Sequence, residues 1–145
     1  MSNNKDTIFL LKECSAGIRM AVASIDDVLP YLENGEMKQL LKESKTEHKD
    51  LEKDIDNTLH QMNCEGKEPN LMAKGMSKIK TNAEMVFKPT EAQAASLISD
   101  GCSMGIKSIH KYMNQYPAAS SEVMNLANRI SDLEEKLENR MKPYL

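Results

Sequence analysis

Four long stretches of this sequence repeat apolar or small residues at alternating steps of three and four positions. The first stretch carries Ile8, Leu11, Ser15, Ile18, Val22, Ile25, Leu29 and Leu32, and the second Met37, Leu41, Ser44, His48, Leu51, Ile55, Thr58 and Met62. Such steps place side chains on one face of an α-helix, whereas a half-buried strand would alternate every second residue. A seam that runs the whole length of each stretch predicts helices that pack lengthwise against one another.

The third and fourth stretches follow the same rule. They carry Ala95, Ile98, Cys102, Gly105, Ile109 and Tyr112, then Val123, Leu126, Ile130, Leu133 and Leu137. Pro and Gly residues separate the stretches and predict helices over about 6–32, 35–63, 90–114 and 117–142. Thr90 is expected to cap the third helix, and Pro117 to lie in the first turn of the fourth. Pro30 is expected to kink the first helix or end it early.

The connections between these helices predict their order in space. Short loops join the first helix to the second and the third to the fourth, so each pair is expected to be antiparallel. The connection between the pairs is long, and Met72, Met76, Ile79, Ala83 and Val86 recur in it at helical spacing, which predicts a crossover helix over 70–87. A single long crossover makes the second and third helices parallel. We therefore predict an all-α, antiparallel four-helix bundle of ferritin-like topology, with residues 1–145 in one domain.

Composition argues against several classes of protein. The chain has 145 residues, with 19 basic and 22 acidic side chains, a net charge of −3. This balance argues against nucleic-acid binding, which favours a basic surface. The sequence has no apolar run long enough to span a membrane, and three cysteines without CxxC spacing fit neither a disulfide scaffold nor a zinc ribbon. A cytoplasmic location is the expectation.

Three sequence segments resemble a known family. These are CSAGIRMA in the first helix, LMAKGMSKIKTNAEMVF in the crossover and SDGCSMGIKSIHKYM in the third helix. Over residues 6 to 142 the chain resembles a bacterial ferritin-like family of unknown function, whose members are small four-helix proteins with an extra short helix in the crossover. Metal-binding ferritin-like proteins place one Glu on each of two helices and a Glu-x-x-His on each of the other two.

The chain departs from that metal-binding pattern on all four helices. Ser15 stands on the first helix where related sequences tend to have an inward acid, and Cys102 takes the corresponding place on the third. The second helix has Glu47 and His48 side by side, without Glu-x-x-His. The fourth helix has no His, and its inward positions are expected to be Val, Leu and Ile. Because two iron or manganese ions need about four carboxylates, we predict that the di-metal centre is absent, with no cofactor and no enzymatic activity.

His48 has two interpretations. It is either a buried histidine bonded to a carbonyl, to a hydroxyl such as that of Ser44, or to a water molecule, or it is a metal ligand. If it is a ligand, Cys102, Cys14 and Glu47 are the candidate partners, and such a set favours zinc or another soft metal over di-iron, with iron as the alternative. Cys14 and Cys102 are otherwise expected to act as small buried apolar residues.

Two functional hypotheses follow. The first is a non-enzymatic protein that keeps the scaffold and acts by association, either with an unidentified protein or as a homodimer. A homodimer is expected to bury part of the first or second helix, beside Phe9, Leu40 and Leu59. The second hypothesis is a metal-binding or oxidative-stress protein that uses the atypical ligand set around His48.

Overall fold

The computed structural model of the protein describes residues 4–69, 78, 80–86 and 90–145, and the regular secondary structure among these residues is all helical, with no strand. The helices are α1 (Lys5–Val28), α2 (Glu36–Gln61), α3 (80–86), α4 (Glu91–Gln115) and α5 (Ser121–Met141). Short 3-10 turns at Leu29–Tyr31 and Lys142–Tyr144 extend α1 and α5. The all-α prediction is confirmed.

Two predicted helix ends are confirmed. The side chain of Thr90 accepts a hydrogen bond from the backbone N–H of Gln93 at 3.1 Å, which caps α4 at its first free donors. Helix α1 ends at Val28, and the chain continues through a single 3-10 turn that contains Pro30. The proline ring and its missing N–H explain the early end.

The predicted start of the last helix is wrong. Pro117 lies before α5, in a turn that the backbone N–H of Ala119 closes by donating to the carbonyl of Tyr116 at 3.2 Å. Proline suits the second position of such a turn because its φ is already fixed there. The cap of α5 is Ser120, whose hydroxyl accepts from the N–H of Val123 at 3.3 Å.

This cap gives a first prediction. Ser120→Ala is expected to lower the free energy of unfolding by about 1 kcal/mol, because it leaves a helix N–H without its acceptor. Ser121→Ala is the matched control, since the Ser121 side chain is exposed and has no capping bond among the described residues. Urea denaturation of both variants measures the effect. Equal stabilities for the two would contradict the assignment of the cap.

Side-chain pairs fix the relative directions of the helices. Arg19 with Asp56 and Lys45 with Asp26 join α1 to α2 in antiparallel order. Helix α5 is antiparallel to α2, as shown by the pairs Arg129–Asp54 and Arg140–Glu47. It is also antiparallel to α4, as shown by the pairs His110–Ser131 and Ser103–Glu138. The start of α1 meets the turn before α5, where Asp6 accepts from the N–H of Ala118 and Thr7 from the N–H of Ser120.

The core consists of two apolar clusters. The first includes Leu10, Ile18, Leu51, Ile55 and Ile130, and the second includes Ile25, Leu41, Ile98, Leu137 and Met141. Every residue of the predicted second seam is buried, whereas Ile8 on α1 and Leu29 in the turn after it are half-buried. On α2 and α5 the residues between the two clusters include polar side chains, and these form the candidate site.

In the described part of the crossover, the residues that face the core are not the ones that the sequence pattern predicts. Residues 80–86 are helical as expected, but Ala83 and Val86 are exposed, whereas Thr81 and Met85 are buried. Polar contacts hold this orientation, since Tyr31 donates to Asn82 at 2.7 Å and Gln93 donates to Glu84 at 2.8 Å. The predicted seam residues Met72, Met76 and Ile79, and residues 70–77 as a whole, lie outside the described residues.

Candidate functional site: a buried histidine–glutamate pair

His48 of α2 is fully buried and both of its ring nitrogens have partners. Nδ1 lies 2.7 Å from the backbone oxygen of Ser44, and Nε2 lies 2.9 Å from Oε1 of Glu134 on α5. Glu134 itself is only 4% exposed. Because a carbonyl oxygen only accepts, Nδ1 carries a proton and donates to Ser44. The pair therefore links the middle of α2 to the middle of α5 between the two apolar clusters.

The protonation of the pair follows from its surroundings. Burial favours the neutral imidazole, but the hydrogen bond to Glu134 and the charge of that carboxylate act in the opposite direction, with smaller contributions from the Ser44 carbonyl and the charge of Glu47. Together they outweigh burial and hold the pKa of His48 above its ordinary value of 6.5. Nε2–H then donates to a carboxylate, and the pair is an imidazolium–carboxylate ion pair.

Helix α4 completes the surroundings of Glu134. Burial raises the pKa of the Cys102 thiol, and the charge of Glu134 and a hydrogen bond with it raise this pKa further. Gly105 lies one turn further along α4, and a Cβ built there would lie 3.4 Å from Oε2 of Glu134. The carboxylate therefore lies beside this position of α4, at about van der Waals distance from where a side chain would begin.

The position of the Glu134 carboxylate, in contact with both Cys102 and His48, determines whether this cluster can act as a nucleophile. A nucleophilic cysteine needs a base or a positive charge beside its sulfur, which lowers the thiol pKa. Here the carboxylate of Glu134 contacts both the Cys102 thiol and the His48 imidazole, and its negative charge keeps the thiol protonated. The arrangement favours a stable polar cross-link over an activated nucleophile.

The other two candidate ligands lie elsewhere. Glu47 is bound by Lys136 at 2.6 Å and Arg140 at 2.9 Å. Partial burial acts to raise its pKa, but these two cations outweigh burial and lower it. Cys14 lies in the first apolar cluster, where burial and the charge of Glu13 raise its pKa to about 12. The structure therefore brings His48 and Cys102 to Glu134, whereas Cys14 lies in the first apolar cluster and the Glu47 carboxylate pairs with Lys136 and Arg140.

The expected metal ligands do not fit the residues present. Among residues 4–69, 78, 80–86 and 90–145, no three His, Cys, Asp or Glu side chains form a group suited to a metal ion. Nε2 of His48 could bind a metal ion only after its contact with Glu134 was broken, and Nδ1 is already hydrogen-bonded to the Ser44 carbonyl. The prediction that Cys14 and Cys102 are buried is confirmed, since both are free thiols inside the apolar clusters.

Glu134 is the residue that the sequence interpretation missed. The expectation that the inward positions of the last helix are Val, Leu and Ile is wrong, because Glu134 and Ser131 are also buried. Spacing alone does not distinguish the two positions, since Glu134 follows Ile130 by four residues and precedes Leu137 by three, whereas Leu133 follows Ile130 by three and precedes Leu137 by four. Leu133, which took its place in the predicted seam, is half-buried.

Ser15, the residue at the expected acid position on α1, has a structural partner. Its hydroxyl donates to the backbone oxygen of Lys67 at 3.4 Å, in the segment that follows α2. That segment approaches closely at Gly66, where an added Cβ would lie 2.9 Å from both Oγ of Ser15 and Nη2 of Arg19. Ser15 therefore helps to hold the chain across α1 as it leaves α2.

Comparisons with known proteins add no assignment. A scan against protein-family models and searches of curated proteins and of solved structures gave no match to this chain. Within the described residues, no helix has both the length and the apolar character needed to cross a membrane.

Proposed function

We propose that this chain is a ferritin-like four-helix bundle in which a histidine–glutamate cross-link replaces the di-metal centre, and that it acts in the cytoplasm as a non-enzymatic protein through association with other chains. The observation that carries the proposal is the 2.9 Å contact between His48 Nε2 and Glu134 Oε1 in the interior. Of the described residues, these are the buried His and the buried Glu, and the contact joins them to each other.

The helix contacts support the proposed topology. Helix α1 packs against α2, α4 and α5, and α5 packs against α4 and α2. Helices α1 and α5 start at the same end, as the contacts of Asp6 and Thr7 with the turn before α5 require. Together with the antiparallel pairs, this favours an up-down-down-up order with α2 and α4 on a diagonal, which is the ferritin-like arrangement.

The charge balance of the interior supports the absence of a metal centre. A di-metal site requires several carboxylates whose negative charge is neutralised by the ions. Here one buried carboxylate is neutralised by one imidazolium, and the neighbouring Glu47 is neutralised by Lys136 and Arg140. A metal ion entering this interior would have to displace the imidazolium proton or the cationic side chains that already neutralise these carboxylates.

The test is elemental analysis of protein purified without chelator or affinity metal, before and after addition of Fe(II), Mn(II) and Zn(II). We expect much less than one ion per chain under every condition. His48→Ala is the matched variant, and it is expected to leave that content unchanged. Near-stoichiometric metal that His48→Ala removes would overturn the proposal in favour of a metal-binding or oxidative-stress protein.

The second part of the proposal is association with other chains. The exposure of Leu40, Leu59 and Phe9 limits which surfaces can form such an interface. Of the three residues expected to flank a dimer interface, Leu59 is buried in the first cluster and Leu40 is half-buried against the second. Phe9 is 47% exposed, but one face of its ring packs against Tyr116 with ring centroids 5.5 Å apart. Leu59 is therefore not available to flank an interface, and the expectation of a dimer beside Phe9 and Leu40 stays a prediction.

A further inference from the structure

The outer face of α4 carries an exposed apolar side chain close to a glycine. Met104 is 70% exposed there, although a methionine side chain of this size is usually buried. Gly101, one turn earlier, is also exposed, and a Cβ added to it would meet no atom within 4 Å. An apolar side chain beside a glycine gives a surface on which a second helix can approach closely.

The charged side chains around Met104 have no ion-pair partner among the residues that the structure describes. Asp100 lies one turn before it, and Lys107 and Lys111 lie one and two turns after it, all three exposed and on the same side of the helix. None of the three takes part in an ion pair among the described residues, whereas ion pairs tie α2 to both α1 and α5. Lys107 and Lys111 are four residues apart on the helix, so they also repel each other.

This pattern is complementary to itself. Negative charge lies on the N-terminal side of Met104 and positive charge on the C-terminal side. Suppose that two copies of α4 pack antiparallel, with Met104 of each copy at the centre. Asp100 of one copy then lies about 6 Å from the centre along the helix axis. Because the second copy runs in the opposite direction, its Lys107 lies on the same side, about 4.5 Å from the centre. Each Asp100 then meets a cation of the opposite copy, which a parallel arrangement would not allow.

We propose that the exposed face of α4 is a two-fold symmetric homodimer interface, in which Met104 packs at the centre and Asp100 pairs with the partner's Lys107 and Lys111. The inference rests on the proposed function by association, and it names the partner as a second copy of this chain. A two-fold axis requires a surface that is complementary to itself, and both the apolar centre and the charged flanks meet that requirement.

The test compares charge variants by sedimentation velocity over a range of protein concentrations. Asp100→Lys, and separately the double variant Lys107→Asp/Lys111→Asp, are each expected to weaken the dimer at least about tenfold, because each places like charges opposite one another. Mixing the two variants is expected to give a heterodimer, because each positive flank of one variant then faces a negative flank of the other. Asp50→Lys, which makes the same change on the exposed side of α2, is the control and is expected to dimerise as the unchanged protein does.

The outcomes separate this inference from the proposed function. If the unchanged protein dimerises but the charge variants dimerise equally well, the α4 interface is overturned while association remains. If the variants weaken the dimer but their mixture does not recover it, the antiparallel pairing of Asp100 with Lys107 and Lys111 is overturned. A monomer at every concentration overturns the homodimer itself. Circular dichroism of each variant shows whether the helices remain intact.

Discussion

His48→Leu is expected to lower the free energy of unfolding by about 3–5 kcal/mol at pH 7, because it leaves the carboxylate of Glu134 buried without its counter-charge. Glu134 is 4% exposed, so water cannot replace the lost partner unless the helices move apart.

The reverse change is expected to cost less. Glu134→Leu leaves His48 without a counter-charge, but an imidazole loses its proton readily near neutral pH. The remaining penalty is one unsatisfied ring nitrogen in an apolar interior, which corresponds to about 1–3 kcal/mol. The Ser44 carbonyl still accepts from Nδ1–H in this variant.

The double variant His48→Leu/Glu134→Leu provides the decisive comparison. Replacing both members of a buried ion pair by apolar side chains is often neutral or stabilising, so the double variant is expected to be no less stable than Glu134→Leu alone. Urea denaturation at pH 7 measures all three. His60→Leu and Glu135→Leu are the matched controls, because both side chains are exposed on the same two helices. Costs of the two single changes that simply add in the double variant would show that the pair is not coupled.

The helices of this fold are predictable because their seams are continuous. On α2, all eight seam positions are buried, including the polar Ser44, His48 and Thr58. Periodicity identifies a buried position whatever residue occupies it, since the helix geometry alone sets which positions face the core. This is why His48 is recognised as an interior residue from sequence.

The partner of His48 was missed for a related reason. On α5, Leu133 and Glu134 both fit helical spacing between Ile130 and Leu137, and hydrophobicity predicts Leu133 as the inward residue. A buried Glu is unusual unless something neutralises it, and the neutralising group lies on α2, 86 residues away in sequence. The spacing within one helix carries no information about that partner.

Two local errors have similar causes. Pro117 is acceptable both in the first helical turn and in the second position of a β-turn, and the choice depends on Ser120 as a cap. In the crossover, the described residues turn Thr81 and Met85 inward, and contacts of Asn82 with Tyr31 and of Glu84 with Gln93 accompany this orientation. Both cases are settled by contacts that the local sequence pattern does not contain.

The stability of the protein is expected to fall as the pH rises above the ordinary pKa of histidine. The pKa of His48 is raised in the folded protein, so its stabilising contribution is fully present below 6.5, the pKa of a free histidine. Above that pH the unfolded chain releases the proton while the folded chain retains it, and the contribution is lost by the time the pH has passed the folded pKa. One proton limits the slope to about 1.4 kcal/mol per pH unit.

Urea denaturation between about pH 6 and pH 8 measures this slope. The range is chosen because the raised thiol pKa values of Cys14 and Cys102 also lower stability at alkaline pH, when these cysteines ionise in the unfolded chain near 9.0. Glu134→Gln is the matched variant, since its amide is of the same size and donates a hydrogen bond to a neutral imidazole. Without the carboxylate, the pKa of His48 is no longer raised, because burial then dominates. We therefore expect the decline above pH 6.5 to disappear in Glu134→Gln, and an identical decline in both proteins would mean that the His48–Glu134 pair does not hold the proton.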